Sequence, residues 1–150
     1  TGYKFNFTEL DNGIVFKDDN LTVEAFKVNH GEFEDAYGFR FTSKDKVIVF
    51  SGDTGPSKSL ESYAKDADIL VHEVYSYAGF LKKTKDWQIY HKGHHTSTYE
   101  VGEIASRAKP KLLVLSHILF WGADEQDILE ETRTTFSGNI KIAEDLMVIK

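Results

Sequence analysis

At 150 residues with a formal net charge of −6 and no cysteine, the chain can bury one core of ordinary size, as a single domain or one large piece of one. The acidic balance excludes a surface that grips nucleic acid by bulk neutralisation of phosphates, which needs clustered Lys and Arg. Without Cys there are no disulfides and no thiolate ligands, so any metal must be held by imidazole and carboxylate groups, the donor set of a catalytic site. No apolar run reaches the roughly 18 to 20 residues that span a bilayer. Thr1-Gly2-Tyr3-Lys4 opens on a strand-like alternation instead of a leader, and a soluble chain, cytoplasmic or exported, is expected. Asn6-Phe7-Thr8 and Asn20-Leu21-Thr22 match glycosylation sequons, triplets too common by chance to carry an argument.

From Tyr3 to Ser51 apolar residues alternate in short segments: Tyr3, Phe5 and Phe7; Ile14 and Phe16; Leu21, Val23, Ala25 and Val28; Tyr37, Phe39 and Phe41. Turn clusters at Asp11-Asn12-Gly13 and Lys17-Asp18-Asp19-Asn20 divide them, which predicts an antiparallel meander. Lys46 to Phe50 is an unbroken apolar run ending in Ser51-Gly52-Asp53, as expected of a strand covered on both faces. The pattern then turns to α/β: a helix over 57–65, a strand over 69–71, a helix over 98–108, a strand over 112–115 and a helix over 124–135. Two short strands over 139–142 and 146–149 close the chain. Thr98 is placed as the N-cap of the central helix and Pro110 beyond its end. The stretch around His91, His94 and His95 has no periodic context and reads as a loop, with His91 on the surface. No linker or repeat divides the chain, so the change of pattern is a change of layer within one unit.

Three predicted strands run into residues able to bind metal or move protons: Asp53 after Phe50, His72-Glu73 after Val71, and Ser116-His117 after Leu115. Side chains beyond the C-terminal ends of such strands converge on one rim, where ligands bind. Taken singly, Asp53 fits an ordinary turn, His72-Glu73 a satisfied buried pair and His117 a strand-end imidazole bonded to a carbonyl. One shared site accounts for all three together.

Val28-Asn29-His30, Ala36-Tyr37-Gly38-Phe39-Arg40, Val47-Ile48-Val49-Phe50-Ser51-Gly52-Asp53-Thr54 and Ala67-Asp68-Ile69-Leu70-Val71-His72-Glu73 resemble consecutive signature stretches of the metallo-β-lactamase superfamily. Gly93-His94-His95-Thr96-Ser97-Thr98, Glu103-Ile104-Ala105 and Leu113-Val114-Leu115-Ser116-His117 are similar to the branch holding ribonuclease Z and arylsulfatase-like hydrolases. The resemblance implies an α/β fold, the C-terminal half of an αββα sandwich, with a mixed sheet and helices on one face. It makes Asp53 the carboxylate bridging two divalent metal ions, zinc or else manganese or iron, and His117 a ligand of the second ion. Glu73 orienting His95 becomes the acid–base pair, with His72 structural and His30 lining the site. The implied reaction is hydrolysis of a phosphodiester or sulfate ester by a metal-bound hydroxide.

Two departures qualify the resemblance. Val74-Tyr75 stands where the ribonuclease Z branch has Ala-Thr, which favours an arylsulfatase-like or other esterase. The family's His-x-His-x-Asp-His motif is absent from the chain, leaving Asp53 and His117, fewer than the three protein ligands usual for catalytic zinc. The expectation is therefore a partial domain, inactive alone and either metal-free or dependent on an oligomer interface for its metal. Its exposed sheet face would meet a separate N-terminal half or a second copy. The rival expectation is an interaction or assembly module that kept the sheet and abandoned the metals. A β-lactamase proper fits less well, since its second metal site commonly uses Cys.

Overall fold

The structure is a computed structural model that describes residues 2–4 and 6–149. Seven strands form one mixed sheet in sequence order: β1 (Gly13–Lys17), β2 (Leu21–Lys27), β3 (Tyr37–Ser43), β4 (Val47–Phe50), β5 (Ile69–Tyr75), β6 (Leu112–Leu119) and β7 (Ile140–Ile142). The first four pair antiparallel and the last four parallel, so the predicted meander and α/β half meet at β4. Among the described residues no helix is long and apolar enough to cross a membrane.

Helices α1 (Lys58–Tyr63), α4 (Thr98–Ala108) and α5 (Glu125–Arg133) fill the parallel crossovers. Val49, Leu70, Leu113 and Ile140 form one register row across the four parallel strands. They share a core with Leu60, Val101, Ala105 and Ile128 of these helices. Because strand side chains alternate, the neighbouring rows, Phe41-Ile48-Ile69-Leu112 and Phe39-Phe50-Val71-Val114, point the other way. On that second face Phe50 is 42% exposed, while Ile69 and Val114 are buried.

The central helix begins at Ser97, one residue before the predicted cap. The Ser97 hydroxyl accepts from the Glu100 N–H (3.3 Å) while the Glu100 carboxylate accepts from the Ser97 N–H (3.0 Å), a reciprocal capping box. Thr98 instead donates its hydroxyl to Glu131 of α5 (2.5 Å). Lys109 ends the helix in a left-handed conformation, just before Pro110.

Three further expectations need correction. The alternation at Tyr3 and Phe7 forms no strand, and both side chains are more than nine-tenths exposed. Alternation supplies a face, whereas a strand is made by a backbone ladder to a neighbouring edge; Phe5 lies outside the described residues. Residues 146–149 are not a strand either. A turn forms there instead, with the Met147 N–H donating to the Glu144 carbonyl (3.1 Å) and Leu146 left-handed and exposed. The stretch read as loop folds as α2 (Tyr77–Leu81) and α3 (Lys85–His94), and His91 is 7% exposed, stacked on Trp87 at 4.7 Å.

Two ionisable groups tie pH to this fold. At the start of the parallel strands the Asp68 carboxylate accepts from the Val47 N–H and the Lys111 ammonium, each at 2.7 Å. Lys111, then the Val47 N–H, hold its carboxyl below the usual carboxylate range. A depressed carboxyl pKa adds stability above that range and loses it as the group protonates. Urea unfolding should find Asp68→Asn less stable than the parent at neutral pH, with the gap closing below about pH 4.

His72 lies on the helix-covered side of β5, fully buried, with its Nδ1–H donating to the Glu73 carbonyl at 2.6 Å and Nε2 without a partner. Burial pushes its pKa down to about 4. The imidazole stays neutral in the fold, while the unfolded chain takes up a proton below about pH 6.5. Its contribution is thus complete above about pH 6.5 and falls away towards pH 4, by on the order of 3 kcal/mol. His72→Gln, which cannot titrate, should flatten the acid side of the stability profile; an unchanged slope would contradict the assignment.

Candidate functional site

Four chain segments bring the site together. After β4 the chain turns sharply at Gly52, where φ is +62° and any side chain would collide with the Tyr37 carbonyl. Glycine alone tolerates that turn, and it delivers Asp53 to the rim. His72 and Glu73 are not beyond β5 but inside it, because the strand continues to Tyr75. The alternation then puts His72 in the core and Glu73 on the opposite face, 2% exposed.

His117 likewise lies within β6. Glu73 pairs with Ser116 and Val74 with Ile118, so His117 is an extra residue in the ladder, with φ at +43°. Such a bulge re-aims a side chain, and here it leaves His117 half exposed, its Nδ1 3.6 Å from Asp53 Oδ1. These two residues and Glu73 border an open cavity of about 380 Å³ floored by Phe39, Phe50 and Val71.

Glu73 is the hub. Its Oε1 accepts from the Thr54 N–H (3.2 Å) and the Thr96 N–H (3.0 Å). Thr96 also gives its hydroxyl to the Thr54 carbonyl (2.6 Å), so the segment after Asp53 and the segment after His95 are joined through one carboxylate. His95 is the C-cap of α3, its N–H donating to the His91 carbonyl at 2.8 Å. Its Nδ1 lies 3.4 Å from Glu73 Oε1, ion-pair distance without hydrogen-bond alignment. Burial raises the Glu73 pKa, and neighbouring His95 and the two N–H groups only partly offset it. For His95 burial is the largest influence and lowers its pKa, but Glu73, with Asp53 farther off, outweighs it and the net shift is upward.

The structure therefore brings together Asp53 with His117 and Glu73 with His95, and nitrogen or oxygen atoms of Glu73, His95 and His117 lie within 4.8 Å of one another. His30 adjoins them, its ring centroid 5.3 Å from that of His95. His72 is apart, on the other side of the sheet. The imidazole and carboxylate donors at this rim fit a divalent cation and its water, and Glu73 Oε2 is buried without a hydrogen-bond partner. Sequence reasoning missed the backbone donors of Thr54 and Thr96; the only signal was a Thr directly after each of Asp53 and His95.

Residues 3–118 match the beta-lactamase superfamily domain family. Ribonuclease Z of Archaeoglobus fulgidus is 37% identical over 108 residues, 71% of this chain and 33% of that protein. Ribonuclease Z of Bacillus velezensis is 26% identical over 199 aligned positions, 98% of this chain and 62% of that protein. The chain thus spans about a third to three fifths of the length of these curated relatives. The fold is shared with the metallo-beta-lactamase fold protein YhfI of Bacillus subtilis, with TM-score 0.70 and 23% identity over 86% of this chain and 49% of that one. It is shared too with the short form of human tRNase Z, with TM-score 0.64 and 22% identity over 91% of this chain and 46% of that one. The matched span contains Asp53, Glu73, His95 and His117, and the chain belongs to the beta-lactamase superfamily.

Proposed function

We propose that this chain supplies the C-terminal part of a two-metal hydrolase site that cleaves phosphodiesters, with RNA as the substrate class favoured by the ribonuclease Z relatives. The observation that carries the reading is the convergence of Asp53 with His117 and of Glu73 with His95 on one rim. Asp53 and His117 would hold the metal on this side of the site, a carboxylate and an imidazole nitrogen being donors suited to divalent ions. When bound, zinc or a similar divalent metal supplies an activated water and neutralises charge on the ester oxygens. Glu73 orients the His95 imidazole and favours its protonated form, which suits His95 to deliver a proton to the leaving oxygen. A sulfate ester would use the same groups, but no feature of the site favours it over a phosphodiester.

On this reading the remaining ligands come from a second structural half that packs on the uncovered apolar face bearing Phe39, Phe50 and Val71. Sheet faces of that kind are buried against a partner in two-layer sandwiches. The chain alone is then expected to hydrolyse no bis(p-nitrophenyl) phosphate, and addition of the complementary half to restore hydrolysis. In the restored protein Asp53→Ala should lose both activity and bound metal by elemental analysis. His95→Ala should keep its metal and lose roughly 10²- to 10⁴-fold in kcat, the usual range for a proton donor. Full activity in Asp53→Ala would end the proposal.

A further inference from the structure

Phe33 is 58% exposed, yet its position is tightly set. Its N–H donates to the His30 carbonyl at 3.1 Å, closing a turn in which Gly31 has φ at +58° and lies too close to the His94 ring to carry a side chain. The His30 Nδ1–H donates to the His94 carbonyl at 2.8 Å, and the His94 Nδ1–H to the Tyr90 carbonyl at 2.7 Å. The turn is thereby fastened to the end of α3 that leads directly into His95.

A line of rings results. Phe33 stacks on His30 with centroids 5.2 Å apart and planes 27° from parallel; His30 meets the His95 ring edge-on at 5.3 Å; His95 stacks with His117 at 6.0 Å. A held, solvent-facing aromatic ring therefore stands at the outer end of a row of imidazoles that leads to the His117 and Asp53 rim. Single-stranded RNA is gripped by stacking its bases on such rings, with little demand on sequence. At a net charge of −6 the chain has no bulk electrostatic hold on phosphates, so its own share of the grip on an RNA comes from local contacts.

The geometry points to Phe33, backed by His30, as the stacking platform for a nucleobase beside the scissile phosphate of a single-stranded RNA. The choice of ligand rests on the phosphodiester reading above. Nothing else in that reading uses Phe33, and its exposure means that replacing it leaves the core intact.

The test is fluorescence titration of the purified protein with an RNA trinucleotide carrying 2-aminopurine, whose emission is quenched by stacking, beside an abasic trinucleotide as competitor. Saturable quenching is expected for the parent and for Phe33→Tyr, with affinity roughly tenfold weaker and quenching lost in Phe33→Leu, the size of one lost base–aromatic stack. Unchanged quenching in Phe33→Leu, no quenching in the parent, or equal competition by the abasic strand would overturn the platform. Failure of the hydrolase reading looks different. Quenching that depends on Phe33 in a restored protein that hydrolyses no ester keeps the platform and removes the hydrolase, whereas ester hydrolysis lost in Asp53→Ala without a Phe33 effect does the reverse.

Discussion

The site depends on one buried carboxylate. Glu73 Oε1 receives the N–H groups of Thr54 and Thr96 and faces His95. The two donors lie 42 residues apart in sequence, one in the turn after β4 and the other on the approach to α4. A backbone N–H left unpaired in a protein interior costs about 1–3 kcal/mol, so the two loops are held in place by the acceptor they share. Asp53 immediately precedes one of these donors and His95 the other. The carboxylate that orders the loops also stands next to the His95 imidazole and raises its pKa, so the placing of the loops and the electrostatic setting of His95 share one group. Burial raises the Glu73 pKa, and that cost is partly offset by the donors around it.

The same division of labour runs through the sheet. Strand alternation sends His72 into the helix-covered core, where it is kept neutral, and sends its neighbour Glu73 to the open side. One face of the sheet is a packed interior built on Val49, Leu70 and Leu113; the other bears Phe39, Phe50 and Val71, with Asp53, Glu73 and His117 bordering the cavity above them. The bulge at His117 is the local exception that brings its imidazole to the rim, because an unbroken ladder from Ser116 to Ile118 would point it into the sheet's other layer.

How much of this is legible in the sequence follows the physical signal available. Strands β2 and β3 announce themselves by alternation, β4 by an unbroken apolar run, and α4 by its apolar period and polar start, although the cap falls at Ser97 because Glu100 completes the box there. Helix α3 is hidden. Its buried positions are His91 and His94, its N-cap Thr84 makes no side-chain bond, and Trp87, Ile89 and Tyr90 are half or more exposed, so no aliphatic stripe marks it. Of the site, Asp53, Glu73, His95 and His117 stand out as carboxylate or imidazole chemistry, three of them close to strand ends. The Thr54 and Thr96 contributions do not, since a backbone N–H carries no side-chain signature. Nor does the bulge, because register is a relation between two strands distant in sequence.

The most direct measurement is amide hydrogen exchange at Thr54 and Thr96, followed by NMR in the parent and in Glu73→Ala, with Gly55, whose N–H donates to the Asn29 carbonyl at 2.6 Å, as the internal reference. The shared carboxylate predicts that both amides are protected in the parent and that both lose about tenfold or more of that protection relative to Gly55 when Glu73 is removed. Protection at Thr54 and Thr96 that survives Glu73→Ala would contradict the central role of this carboxylate.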